Sequence, residues 1–283
     1  MSSGVAPVTG PPPELIFHRV MRPLTMLREL WNGRELIVVL TERELRARYK
    51  QTKVGFAWAL LTPFLLMVVF TVFFKRVADV ETGGIPYPLF SYIALLPWTF
   101  FSGSLARGAV SITQNLTLLN KVYCPREVFP LAAVAIAAVD TTIAVSILGI
   151  LFAIYRFMPH IESLWVPVLM LVQLAFTIGV TLILSACVVY LRDIRQILPM
   201  ILQFGLFATP IGYGLEVIPR ELLPLYCALN PLGPVIDGYR RTVLMGEPPQ
   251  LGLLAIGAFS AFFLLVVGYL LFKRMETNFA DVA

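Results

Sequence analysis

This sequence predicts an all-α, multi-pass membrane protein, and three observations carry that reading. Hydrophobic residues fill 58% of 283 positions, against roughly 45–50% in globular chains even with glycine counted. Charged residues are 14%, where about 25% is usual. The apolar residues gather into six windows, each near the ~20 residues a helix needs to cross about 30 Å of hydrocarbon. Mean hydropathy is +0.81. Together these exclude a soluble globular domain, a disordered chain and a disulfide-stapled secreted module.

The first fourteen residues hold no Lys or Arg and no apolar core, so they do not read as a signal peptide. Residues 1–23, with Pro7, Gly10, Pro11, Pro12 and Pro13, read as a disordered tail. Residues 24–54 read as a cytoplasmic amphipathic interface helix. The apolar run from Leu36 to Leu40 is too short to span, and Glu42-Arg43-Glu44-Leu45-Arg46-Ala47-Arg48-Tyr49-Lys50 follows it. Such a basic helix suits the headgroup surface, with Leu45 and Tyr49 dipping inward. The competing reading is a plain positive anchor.

The six windows, residues 55–272 in all, are 55–74, 89–110, 129–155, 165–190, 197–215 and 251–272. Pro97 and Arg107 interrupt the second, and the fifth is short and rich in glycine. An even number of crossings places both termini on one side. With the N-terminus inside, the inner segments carry 15 Lys+Arg and the outer segments 6. That asymmetry orients both termini toward the cytoplasm, leaving 273–283 as a cytoplasmic tail.

Two connecting segments are more than loops. In the inner segment 111–128, Leu116, Leu119, Val122 and Tyr123 recur at helical spacing and form an apolar stripe before Pro125. A motor docking from below would grip there; the competing reading is a plain interfacial helix. The outer segment 216–250 combines Leu222, Leu223, Leu225, Tyr226, Val235, Ile236 and Tyr239 with Pro219, Pro224, Pro231 and Pro234. It is too apolar for a solvated loop and too broken by proline to cross twice. Short re-entrant half-helices lining an outer mouth fit it best; a compact external cap is the alternative.

Enzyme chemistry is poorly represented. The three cysteines, Cys124, Cys187 and Cys227, have no paired spacing and fall at three different depths, so no disulfide is expected. His18 and His160 are the only histidines, and no metal site is expected. No HExxH, GxSxG or paired carboxylate occurs, and no catalytic residue is assigned. Asp140 is the one acid deep in a window. Burying a charge is costly, which makes it a functional candidate, although a protonated or hydrogen-bonded packing contact is the favoured reading. An ion-coupled carrier or membrane enzyme using Asp140 is the rival. Against it, the two halves of the chain do not match as repeats. No GxxxxGK[ST] loop occurs either, so any ATP-driven motor is a separate chain.

Five ordered stretches carry a family resemblance over residues 34–275. They are Arg48-Tyr49-Lys50-Gln51-Thr52-Lys53-Val54-Gly55-Phe56-Ala57-Trp58 with Leu61-Thr62-Pro63; Leu95-Leu96-Pro97-Trp98-Thr99-Phe100-Phe101 with Ser111-Ile112 and Asn115; Asn120-Lys121-Val122-Tyr123 into Pro125-Arg126-Glu127 and Pro130; Arg192-Asp193; and Leu229-Asn230-Pro231-Leu232 with Asp237-Gly238-Tyr239-Arg240. The chain resembles the membrane subunit of ABC exporters of the O-antigen and cell-surface polysaccharide type.

That resemblance implies a homodimer around one channel in a bacterial inner membrane, with no nucleic-acid partner. Two ABC ATPase subunits, holding the ATP and Mg, would dock on the helix of Gln114, Leu116, Leu119, Lys121, Val122 and Tyr123. This chain would bind no cofactor itself. The substrate would be a polysaccharide on a polyprenyl diphosphate, entering near Arg46, Arg48, Lys50 and Lys53, whose charges suit phosphate oxygens. On a helix, 46, 50 and 53 share a face and 48 lies roughly opposite. Tyr226, Asn230, Pro231, Tyr239 and Arg240 would belong to the external gate. Aromatic faces stack on sugars without fixed hydrogen bonds, so Phe64, Phe70, Phe73, Phe204, Phe207 and Tyr213 are channel candidates, each weighed against a lipid-facing or packed role. Trp58 and Trp98 read as anchors or packing groups. An ABC exporter of small lipids or drugs remains an alternative of the same fold, and the glycan is left open.

Overall fold

The computed structural model describes residues 33–50, 57–77, 82–116, 124–276 and Phe279. All regular structure among them is helical. In chain order α1 is Arg34–Lys50, α2 Ala57–Phe70 (running on as a π-helical turn, Thr71–Val77), α3 Tyr87–Gln114 and α4 Val128–Ile154. There follow α5 Val166–Tyr190, entered through a 3-10 turn at Ile161–Trp165, and α6 Ile194–Ala208. The chain ends with α7 Leu223–Leu229, α8 Leu232–Tyr239 (continued by a π-helical turn, Arg240–Met245) and α9 Leu251–Met275. Residues 1–32 and 117–123, the expected tail and most of the expected docking helix, lie outside the described residues.

Among the described residues, five stretches are long and apolar enough to cross a membrane: Ala57–Lys75, Tyr87–Gln114, Val128–Ile154, Ile161–Tyr190 and Leu251–Met275. The fifth predicted window differs. Its helix, Ile194–Ala208, is 15 residues long and stops well before residue 215. The cause is local: Pro210 follows Thr209, and a residue before proline is pushed out of the α region. Thr209 is accordingly extended, at φ −87° and ψ 141°. Pro97, by contrast, stays inside α3 without ending it, as prolines do in buried membrane helices.

Helix α3 is the axis of the packing. Of its most apolar stretch 78% is buried, against 17% for α2 and 22% for α9. Leu89, Tyr92, Leu95, Ala109 and Ile112 are sealed on it. Between α5 and α9 the backbones themselves touch. A Cβ on Gly179 would lie 2.7 Å from the Leu264 carbonyl oxygen, and Gly268 faces Gly179 in return. Small residues permit such close helix approach where lipid supplies no hydrophobic drive.

Helix α1 does not merely lie across the bundle. It runs in the same direction as α4. Leu40 packs with Val128, Phe129 and Ala132, and about two turns later Arg48 meets Asp140. Helix α6 runs opposite to α3. Leu198 packs with Ala109, a Cβ on Gly205 would touch Trp98, and Tyr87 bonds the Gly212 carbonyl at 2.9 Å.

Candidate functional site

The charged residues isolated in the sequence converge at one place. Arg48 of α1 donates to Asp140 Oδ2 at 2.8 Å. Arg107 of α3 reaches the same oxygen at 3.4 Å. Asp140 is therefore an ion-paired residue rather than a packing contact alone. The signal was present in the sequence: Arg107 and Asp140 are lone opposite charges in consecutive windows, which pack as antiparallel neighbours.

These three side chains line an open cavity of about 360 Å³ with Trp58, Thr62, Trp98, Thr99 and Ser102. Its walls come from α1, α2, α3 and α4. The ion-paired side chains remain partly accessible, at 31% for Arg48, 29% for Arg107 and 19% for Asp140. Trp58 is exposed at the mouth, whereas Trp98 is packed against Phe101.

The predicted basic group divides. Arg46 is turned away into an i,i+4 pair with Glu42 on the open face of α1, and Arg43 donates to Asn115 at 3.1 Å. Arg48, set opposite the 46/50/53 face in the sequence reading, is the member that enters the cavity. Lys53 and the side chain of Lys50 lie outside the described residues.

Of the expected docking residues, Gln114 is exposed and Leu116 half-buried. Leu116 packs inward on Ile112, Leu182, Phe272 and Phe279. Leu119, Lys121, Val122 and Tyr123 lie outside the described residues. Just beyond them an ionic cluster closes the same end of the bundle. Lys273 Nζ is 2.7 Å from Glu127 Oε1 and 3.2 Å from Glu276 Oε2. Arg126 donates to the Glu276 carbonyl, and Tyr190 to that of Met275 at 2.8 Å. No sequence pattern marked this cluster, because Lys273 reads as one more inner positive charge.

The segment 216–250 folds into a helical hairpin, α7 and α8, whose turn reaches into the bundle. Ser260, nine residues into α9, donates to Ala228 at 2.5 Å. A Cβ on Gly257 would touch Pro234. Further polar connections hold the hairpin. Tyr226 donates to Ala208 at 2.8 Å and Asn230 to Thr209 at 3.0 Å. Tyr239 bonds Gln173 at 3.0 Å, and Gln173 in turn donates to Pro97 at 3.1 Å. Arg240, sealed at 2% exposure, donates to the carbonyls of Phe90, Pro210, Ile211 and Tyr213. It also covers the Phe90 ring at 3.7 Å. A buried cation so placed exchanges its hydration for fixed carbonyl dipoles. Pro231 is buried at the hairpin turn.

The aromatic candidates split by environment. Phe64, Phe73, Phe204 and Phe207 are exposed on α2 and α6. Phe70 is sealed, its ring against Phe74 and Phe207. Tyr213 is half-buried and donates to Phe207 and Ala208, closing the end of α6.

Comparison with known proteins places these features in context. The family model described as ABC-2 type transporter matches residues 35–244. The chain is 33% identical over 260 residues to the O-antigen export system permease protein RfbA of Myxococcus xanthus, covering 91% of this chain and 99% of the relative. It is 28% identical over 249 residues to the protein of the same description in Klebsiella pneumoniae, covering 88% and 95%. It is 25% identical over 250 residues to the polysialic acid transport protein KpsM of Escherichia coli, covering 83% and 91%.

Proposed function

Since the chain belongs to the ABC-2 type transporter membrane family, we propose that it is the transport subunit of an ATP-driven exporter of a polyprenyl-diphosphate-linked polysaccharide. As a multi-pass permease with O-antigen export relatives, it supplies the pathway. A separate ABC ATPase, present in two copies, supplies the hydrolysis. Two copies of this chain form the channel, with both termini cytoplasmic in a bacterial inner membrane.

The observation that carries this reading is the open, arginine-lined cavity at Arg48, Arg107 and Asp140. Arg107 lies two turns from the C-terminal end of α3, and with both termini cytoplasmic the cavity would open at inner-leaflet level. A phosphate-bearing headgroup arriving there meets guanidinium donors suited to its oxygens. Lys50 and Lys53, which follow Arg48 in the sequence, would add positive charge worth on the order of 1 kcal/mol each near an anionic surface, whereas Arg46 is already paired with Glu42.

On this reading α6 makes the sixth crossing despite its length. It follows α3 from Ala109 to Trp98, and the chain after Pro210 completes the height. The hairpin α7–α8 is then re-entrant from the outer side, and Tyr226, Asn230, Pro231, Tyr239 and Arg240 hold the external gate. The exposed Phe64, Phe73, Phe204 and Phe207 face the pathway between protomers. The segment 117–123 takes the thrust of the ATPases, with Leu119, Lys121, Val122 and Tyr123 at the contact.

Co-purification tests the arrangement. The wild-type chain retains its ATPase partner and shows no metal-dependent ATP hydrolysis alone. Leu119→Asp with Val122→Asp inserts normally but loses the partner. Hydrolysis by the purified chain alone would refute the division of labour.

A further inference from the structure

We propose that Arg48, Arg107 and Asp140 form a counter-ion exchange site for a phosphoryl group, in which the Asp140 carboxylate keeps the place that a phosphate oxyanion takes when substrate enters. The proposal rests on the reading above and names which residues receive the anion and which one yields. Both guanidinium groups address a single carboxylate oxygen, Oδ2, at 2.8 and 3.4 Å. The three side chains sum to one positive charge. Each member is partly accessible and each lines the cavity, so an incoming anion can reach the arginines without unpacking the bundle. At about 360 Å³ the space falls within the range of small-molecule sites, roughly 300–1,000 Å³.

The geometry gives Asp140 a definite task. With no ligand, two arginines in one cavity repel each other, and the carboxylate holds them together. A phosphoryl group carries more charge and more acceptor oxygens than a carboxylate, and the planar guanidinium fork matches it in bidentate fashion. The incoming anion therefore displaces Asp140 from one or both arginines. When the anion leaves, the carboxylate returns and blocks its re-entry. Asp140 thus weakens binding and favours release. The arginines come from α1 and α3 and the carboxylate from α4, so the exchange changes how three helices are tied together.

Binding to the full-length chain in neutral detergent micelles tests this, followed by tryptophan fluorescence, since Trp58 and Trp98 border the cavity. The probes are farnesyl diphosphate, inorganic diphosphate and farnesol. Farnesyl diphosphate should bind the wild type, and Arg48→Gln and Arg107→Gln should each weaken it at least fivefold. Asp140→Asn should bind it about threefold to fivefold tighter, the gain expected from removing one partly exposed competing charge. Size-exclusion elution checks that each variant is folded, and Arg48→Lys, which keeps the charge without the fork, should bind more weakly than the wild type. Weaker binding by folded Asp140→Asn, or equal binding by all variants, overturns the exchange site, as does no binding to the wild type. Equal affinity for inorganic diphosphate, with the Asp140→Asn gain intact, keeps the anion site and removes the lipid-linked substrate.

Discussion

Lys273 on the last turn of α9 stands 2.7 Å from the Glu127 carboxylate at the start of α4, with 2% and 0% of the two side chains exposed. This pair joins the end of the last long helix to the start of α4. Helix α9 in turn carries Ser260 and Gly257 against the α7–α8 hairpin.

Removing one partner of this pair should be costly. Lys273→Met leaves Glu127 buried without its counter-charge, a loss of about 3–5 kcal/mol. Thermal unfolding in detergent should show a clear drop in Tm for Lys273→Met, and Lys273→Met with Glu127→Leu should recover most of it. A drop no larger than that of Lys75→Met, an exposed position, would mean that the pair holds nothing.

The contact of α5 with α9 makes a second prediction. Gly179→Ala puts a methyl against the Leu264 backbone, which moves only if the helices separate, at a cost of about 1–3 kcal/mol. Gly149 is also inside a helix, but its Cβ would meet nothing within 4 Å. Gly149→Ala should be neutral or stabilising by up to about 1 kcal/mol. Equal Tm changes for the two would contradict the close crossing.

Much of this architecture was legible in the sequence, because length and hydropathy fix a membrane helix almost without tertiary help. The windows at 89–110, 129–155, 165–190 and 251–272 became α3, α4, α5 and α9 within a few residues. The window at 197–215 was read too long because its hydropathy continues past Ala208 while its backbone cannot, at Thr209-Pro210. The site was half legible. Arg107 and Asp140 stood out as lone charges in their windows, but Arg48 was one of four basic residues and was set on the disfavoured face; their meeting depends on α1 following α4, which no periodicity reports. The bond from Tyr239 to Gln173 and the burial of Lys273 with Glu127 are likewise contacts between segments far apart in sequence.

The hairpin gives a third prediction. Cys227 on α7 is completely buried, so a thiol reagent should reach it only when the hairpin loosens. Lys has a single donor nitrogen where Arg240 spreads its donors over four carbonyls. Arg240→Lys should cost about 2–3 kcal/mol and make Cys227 reactive. Unchanged protection of Cys227 in a folded Arg240→Lys protein would show that the guanidinium does not pin the hairpin.

Cys124 is the complementary probe on the other side. Burial pushes its thiol above the ordinary thiol range; Arg126 pulls it down, and Glu127 adds to the rise. The thiolate reacts, so below the raised pKa labelling should accelerate about tenfold per pH unit between pH 7 and 8. Intact cells should show no labelling at either pH, and permeabilised cells should show it at both. Labelling of Cys124 in intact cells would reverse the assigned orientation.

If this chain provides the route by which a lipid-linked glycan leaves the cytoplasmic side, its loss strands that glycan inside. The decisive measurement is to deplete the chain in its own bacterium and follow both surface glycan and lipid-linked glycan at the inner leaflet. One surface glycan should be lost and its polyprenyl-diphosphate-linked form should accumulate inside, both reversed by the wild-type chain and neither by the Arg48→Gln, Arg107→Gln double variant. An unchanged surface glycan with no lipid-linked precursor accumulating inside would contradict that role.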